Sequence, residues 1–507
     1  MVAGAGNQAG SPQGRVKKFL TPTLLLLLTA GTLAVHGYHP YAEDAEIYLP
    51  GVEKILHSKL FPVGQEFFAS HASLTIFPNL IALFLRIAHL PMETGLFLSH
   101  LLSIFLLLLA CWELSGKCFP SARARWGAVC LVAALLTIPV AGTALYILDQ
   151  YLNPRNLAAF AGIFAVARIL ERKYVRAGLW LAFAASVHPL MAAFALSYCA
   201  LLIVMEMLKG RRIASGTLSV AGTMCCLLPF GITLDPPTSR AYHEAAMRHG
   251  FHYIQLWQWY EILGAVAPLA LLIWFARIAH ARQWHDLNRL CRALVVYGLV
   301  YFLAALVVDL PARFESLARL QPLRSLHLLY MLMFLVMGGL AGEFVLKNKV
   351  WRWLALFVPL SAGMFLAQRA LFPASSHIEW PGMSPRNSWA QAFVWVRGNT
   401  PEDAVFALDP DFLQLPGEDA VGFRCLAERS RLADDVKDSG AVSMFPPLAE
   451  EWWAQVQAQT PWKNFRAEDF ARLKEKYSVT WVVSQQPGVA GLECPYQNGA
   501  VQVCRLP

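Results

Sequence analysis

Long apolar runs separated by short polar turns dominate the first three quarters of the chain. They lie at about 24–35, 74–90, 95–112, 126–148, 157–171, 177–187, 189–207, 213–233, 262–280, 292–310, 326–346 and 351–371. Several sit in stretches of about 18–22 residues, long enough to cross hydrocarbon as helices, so the pattern predicts an α-helical polytopic membrane protein and argues against a β-barrel. Residues 177–207 carry His188-Pro189 in their middle. Proline disfavours helix at the preceding residue and lacks a donor, so this stretch is expected to break there and turn back.

Loop charge tests the count of crossings. The clusters Lys117/Arg123/Arg125, Arg172/Lys173/Arg176, Lys209/Arg211/Arg212, Arg282/Arg289/Arg292 and Lys347/Lys349/Arg352 can all be cytoplasmic if one segment between 74 and 112 does not cross. That predicts about 11 spanning helices. Reading 177–207 as a single span instead leaves two basic clusters outside. Under the first topology Glu43 to Glu46, the turn Asp149 to Asn156, His188, the loop 234–261 and Arg313 to Arg324 share the non-cytoplasmic face with the tail. Polar groups gathered this way line an intramembrane cavity.

Residues 1–14 have little to bury and read as disordered. Arg15, Lys17 and Lys18 precede the first apolar run. This fits either a cleavable signal or an uncleaved anchor, and the many later spans favour the anchor. The transmembrane region is then 15–373, with a first extracytoplasmic loop at 38–73.

Residues 374–507 change character. A helix near Ser388 to Arg397, a strand at Val405 to Leu408, the helical "AEDFARLKEKY", and the strands "VTWVVS" and "VQVCRL" predict a small α/β domain. Its acids, as in "PEDAVFALDPD", read as solvated loop groups, so no catalysis is expected there.

Composition agrees with this division. The chain is 56% hydrophobic and only 15% charged. Residues 374–507 hold 12 Lys+Arg against 17 Asp+Glu, so the net +8 comes entirely from the membrane region. There is no basic patch with interleaved aromatics, which argues against a nucleic-acid partner. Seven of the ten cysteines lie in or beside apolar segments without metal spacing. Cys494 and Cys504 flank an Asn498-Gly499 turn; strict two-residue pairing sets Cys494 opposite Val503, leaving a disulfide open.

Candidate chemistry starts at "YAEDAEIYLP", residues 41–50. Pro50 suits the first turn of a helix whose apolar face, Val52, Ile55, Leu56 and Leu60, lies along the membrane surface. Glu43, Asp44 and Glu46 there can hold a cation, take a proton or simply be hydrated. In "DQYLNPRN", Asn153 is an N-cap and Pro154 a first helical residue, so Asp149 and Arg155 face each other across a turn. They form an ion pair or a phosphate or metal contact. His188 is a ligand, a proton carrier or a hydrogen-bonded break residue. Arg319 and Arg324 flank "LQPLR" and suit a phosphate or a lipid headgroup. "HEAAMRH" is not the H-E-x-x-H zinc motif, and its surroundings read as an interfacial aromatic belt with an acceptor groove as the alternative.

The order of "YAEDAEIYLP", "DQYLNPRNLA", "SVHPLMA", "LQPLRSLHLL", "NTPEDAVF" and "KYSVTWVV" over nearly the whole chain resembles the GT-C superfamily of polyprenyl-phosphate-sugar-dependent membrane glycosyltransferases, and its uncharacterised bacterial members in particular. The resemblance implies transfer of a sugar from a polyprenyl-phosphate carrier to a glycan, lipid or protein acceptor on the periplasmic face of the bacterial inner membrane. It implies catalytic roles for Asp44 and Glu43; the residues themselves suggest Asp149, Arg155, His188, Arg319 and Arg324 as substrate contacts. A divalent metal, Mg or Mn, would be held by Asp44 and Glu46. Where related chains often carry a second aspartate in this loop, this one has "VGQEFF", so Gln65 or Glu66 must substitute. A transporter or a catalytically silent envelope scaffold remains the alternative, although no repeat relates two halves as a transporter requires.

Overall fold

The computed structural model describes residues 12–208, 239–309 and 319–507. The expected segment 213–233, the cluster Lys209/Arg211/Arg212, residues 1–11 and Arg313 lie outside the described residues. Residues 12–14, expected to be disordered, open helix α1 (Pro12–His36).

Six described helices are long and apolar enough to cross a membrane: Met92–Cys118, Pro189–Met207, Trp259–Ala281, His285–Val307, Pro322–Leu346 and Val350–Leu371. Other expected spans are shorter, including Leu20–His36 and Tyr174–Val187. Between residues 74 and 112, α4 (Phe77–Ala88) is a short helix bent 85° from α3 (Glu66–Ala72), while α5 (Met92–Cys118) is the long one.

Two elements depart from expectation. The segment 126–148 is helical only to the end of α6 (Ala122–Ala134), after which the chain runs irregularly to Asn153. Its apolar composition misled because buried irregular backbone is equally apolar. It is tolerated because its polar groups find partners: Val140 N donates to Leu145 O at 2.8 Å, Leu148 N to Leu136 O at 2.9 Å, and Ile147 O meets His327 Nε2 at 3.0 Å. Helix α2 (Ala45–Leu56) begins at Ala45, so Pro50 lies inside it, not in its first turn. Nor does α2 lie on a membrane surface: Leu49, Val52 and even Glu53 are buried between α4 and the tail.

The break at His188 is present. Helix α7 (Pro154–Leu170) is followed by α8 (Tyr174–Val187), and α9 (Pro189–Met207) folds back against α8 with His188 between them. Helix Leu326–Leu340 crosses α6 at glycine: a Cβ on Gly127 would lie 2.4 Å from Gly338 O, so the backbones approach as only glycine permits. This crossing fixes the helix that follows the turn carrying Arg324.

The described basic clusters lie at one end of the bundle. Lys117 ends α5, Arg123 starts α6, Arg172 precedes α8, and Arg289 starts His285–Asp309. Arg155, His188 and Arg324 lie at the opposite helix ends.

The tail carries a five-stranded mixed sheet in the order β2-β1-β3-β5-β4, formed by β1 (Val405–Ala407), β2 (Ser430–Arg431), β3 (Trp481–Gln485), β4 (Glu493–Gln497) and β5 (Val501–Arg505). β1 is parallel to β2 and β3, while β5 is antiparallel to β3 and β4. A register shift between Glu493 and Tyr496 replaces the strict pairing expected for the last hairpin, and Cys494 is bonded to Cys504.

Candidate functional site

Glu43, Asp44, Asp149, Arg155, His188, Arg319 and Arg324, drawn from four stretches of sequence, line one cavity of about 1500 Å³. That exceeds the roughly 300–1,000 Å³ that encloses one drug-sized ligand.

The acidic pair is held by backbone. Ala42 bridges Val421 of the tail, and Glu43 N donates to Ala420 O at 2.8 Å, which keeps Glu43 at a left-handed φ of 56° uncommon for a residue with a Cβ. Asp44 stands at the N-terminus of α2, with its backbone N 3.2 Å from Tyr151 Oη. A carboxylate there also meets the positive end of the helix dipole.

The turn before α7 is built as its sequence predicts. Asn153 Oδ1 accepts from Asn156 N at 3.1 Å and Asn153 Nδ2 donates to Asp149 Oδ2 at 2.6 Å. Arg155 donates to that same Asp149 oxygen from Nε at 3.1 Å and from Nη2 at 2.8 Å. Its Nη2 also lies 3.5 Å from Asp44 Oδ2, joining the ion pair to the first-loop acid.

The other Asp44 oxygen faces a residue the sequence did not single out. Lys437 Nζ is 3.0 Å from Asp44 Oδ1 and 2.5 Å from Glu43 Oε2. Burial alone raises a carboxyl's pKa, but Lys437 and then Arg155 outweigh it and hold Asp44 well below the usual carboxylate range. Burial likewise disfavours the Lys437 ammonium, yet Asp44 and Glu43 keep it charged far above neutral pH.

Arg324 follows Pro322 in a short 3₁₀ turn, with its guanidinium 5.5 Å from the Phe251 ring centre and its Nε without a hydrogen-bond partner. Among the described residues neither Arg324 nor Arg319 makes an ion pair, so this part of the wall offers positive charge to a ligand. His188 caps α9, Nδ1 accepting from Met191 N at 3.4 Å, which is the hydrogen-bonded break. The loop 234–261 contributes Arg248, His249, Phe251 and His252 to the wall, where the sequence favoured an aromatic belt. His249 is pushed down to about 3 by burial, with Lys437 and Arg324 adding to it, so it is neutral.

Several expectations need correction. Glu46 does not share a cation with Asp44: it is 0% exposed and absent from the cavity wall. Arg431 Nε donates to it at 2.9 Å, and Arg424 lies 3.8 Å away. Two residues further along a helix the side chain points to another face, and here that face meets the tail. Gln65 and Glu66 are not on the wall either. The tail, expected to be chemically silent, supplies Asp411, Asp435 and Lys437.

Nor do the residues present fit a divalent metal. An ammonium already stands between the two carboxylates, and among the described residues no three His, Cys, Asp or Glu side chains are placed to hold an ion.

The cavity has two characters. Pro189, Leu190, Ala193 and Phe194 with Tyr301 and Ala304 give an apolar sector between α9 and His285–Asp309, and the tail gives a polar one. No family model and no curated protein matches the chain. Among solved structures it is similar to the archaeal oligosaccharyltransferase AglB from Archaeoglobus fulgidus, in complex with an inhibitory peptide and a dolichol-phosphate. That match has 12% identity and a TM-score of 0.47, covering 92% of this chain and 70% of that one. It is also similar to the Archaeoglobus fulgidus oligosaccharyltransferase in its apo form, at 13% identity and a TM-score of 0.46, over 93% and 70% of the two chains. Likeness at this level has no bearing on function.

Proposed function

We propose that this chain is a membrane glycosyltransferase that moves a sugar from a polyprenyl-phosphate carrier to an acceptor on the periplasmic face of a bacterial inner membrane. The observation that carries the reading is the placement of Arg155 and Arg324 beside Asp44 in a cavity with an apolar and a polar sector. The apolar sector suits the carrier's hydrocarbon, and Arg324 and Arg319, which make no ion pair among the described residues, suit its phosphate.

In this mechanism the acceptor's nucleophilic atom attacks the anomeric carbon, and the bond from that carbon to the phosphate oxygen breaks with its electron pair leaving on the phosphate. Arg155 and Arg324 stabilise the charge that collects there. The acceptor's proton passes to Asp44. Asp44 is a weak base while both cations face it. A donor phosphate that draws Arg155 toward itself removes one of them, so basicity rises as the nucleophile arrives.

The face is argued from charge and sulfur. The described basic clusters lie at the helix ends away from the cavity, and such clusters favour the cytoplasm. The Cys494–Cys504 disulfide fits an oxidising compartment for the tail.

The test is to mix the purified protein with a panel of polyprenyl-phosphate sugars and measure release of lipid phosphate. Asp44→Asn should abolish release while the thermal midpoint stays put. Equal release by wild type and Asp44→Asn with an accepted donor ends the proposal.

A further inference from the structure

Lys437 is 13% exposed at its side chain and comes from a segment fixed on every side. Asp434 Oδ1 accepts from the backbone N of Val436 at 2.6 Å and of Lys437 at 2.5 Å. Asp434 Oδ2 is bonded in turn to Arg431, whose Nε donates to Glu46 Oε1 at 2.9 Å. Asp438 takes a bidentate contact from Arg424, both bonds 2.8 Å. Glu46 stands two residues after Asp44 on α2, so a buried chain of charges sets the lysine's backbone against the acid it meets. An exposed lysine gains little from an ion pair and pays rotamer entropy for it. Here the backbone is already ordered and the ammonium donates to two carboxylates at once.

Those two carboxylates are where a divalent cation would be sought. A Mg²⁺ or Mn²⁺ ion needs several oxygen ligands at about 2.0–2.2 Å and would have to displace the ammonium against the repulsion of Arg155. We propose that Lys437 is the resident cation of this site: a positioning residue, delivered by the tail, that holds Glu43 and Asp44 oriented and ionised so that the chain works without a divalent metal. The proposal rests on the transferase reading for its activity arm alone.

The experiment has two arms on the full-length protein in detergent. In the first, Mn²⁺ is titrated into EDTA-stripped wild type and Asp44→Asn while free Mn²⁺ is followed by electron paramagnetic resonance. Wild type should bind no more Mn²⁺ than Asp44→Asn. In the second, lipid-phosphate release is measured in EDTA. Wild type should keep its full rate, Lys437→Ala should fall by about 10²-fold, mainly in kcat, and Lys437→Arg should recover to within about 10-fold of wild type. Thermal midpoints identify variants that fail to fold, and Lys437→Gln replaces Lys437→Ala if that one does. The proposal is overturned by Asp44-dependent Mn²⁺ binding in wild type, by loss of wild-type release in EDTA, or by a folded Lys437→Ala as active as wild type. If no donor is accepted by any chain, the transferase reading fails and the Mn²⁺ titration still decides the resident cation.

Discussion

Arg431 Nη2 lies 2.9 Å from Glu46 Oε1 with both side chains at or below 1% exposure, which ties the first turns of α2 to the second strand of the tail. Arg424, Asp434 and Asp438 complete the cluster, all close to fully buried. A buried charge is tolerable only while its partners remain, so removing one leaves the others unpaired in a poorly solvating interior. Glu46→Ala should therefore destabilise the protein by about 3–5 kcal/mol. Glu43→Gln, at a side chain 46% exposed, should cost under about 1 kcal/mol. Denaturant unfolding in detergent gives both values, and similar losses for the two would remove the cluster's claimed role.

What could be read in the sequence follows from how local the cause is. The break at His188-Pro189 and the Asn153-Pro154 start of α7 come from the covalent geometry and capping chemistry of adjacent residues, and both are present. The gathering of Asp44, Arg155, His188 and Arg324 was reached through the charges of distant loops. Lys437 was out of reach because its partner is 393 residues away and "DDVKDSG" looks like any solvated acidic turn. The irregular backbone after Ala134 was missed for another reason: composition registers depth in the bundle, and helix periodicity is no guide in a segment buried on all sides.

The electrostatics fix how the site responds to pH. Asp44 has its carboxyl depressed, so its stabilising contribution is present above the ordinary value of about 4 and is lost as pH falls through its lower folded value. Lys437 has its ammonium raised, so its contribution is present below about 10.4 and fades only above that. Neither titrates between about pH 5 and 9. Asp435 behaves oppositely: burial, against the pull of Arg248, lifts it to about 6. A raised carboxyl favours the protonated folded state, so stability should decline as pH rises from about 4 to 6, and Asp435→Asn should flatten that decline. Thermal midpoints across pH 4–8 check this, and an unchanged slope in Asp435→Asn would assign the titration elsewhere.

Arg155 serves two carboxylates with geometry lysine cannot copy. Its Nε and Nη2 share Asp149 Oδ2 while Nη2 reaches Asp44. Arg155→Lys keeps the charge and loses the fork, so lipid-phosphate release should fall by about 10²–10³-fold although the protein remains folded. Arg324→Ala should weaken donor binding more than it slows transfer, because Arg324 has no ion pair to lose among the described residues. Saturation kinetics separate the two, and a raised KM in Arg155→Lys with kcat intact would exchange their roles.

The Cys494–Cys504 bridge makes the side of the membrane testable without any substrate. It closes a hairpin with a sequence separation of 10 and packs beside Val482. Confining so short a loop in the unfolded chain is worth roughly 3 kcal/mol, so Cys494→Ser should lower unfolding free energy by that order and reducing agent should reproduce the loss in wild type. The bridge persists only in an oxidising compartment. Alkylation of intact cells with and without reductant should therefore reveal two further thiols in the tail only after reduction. Reporter fusions should read Lys117 and Arg172 as cytoplasmic and the C-terminus as external. A cytoplasmic C-terminus with free Cys494 would put the cavity on the wrong face for an external acceptor, because Lys437 ties the tail to Asp44 whichever way the bundle is inserted.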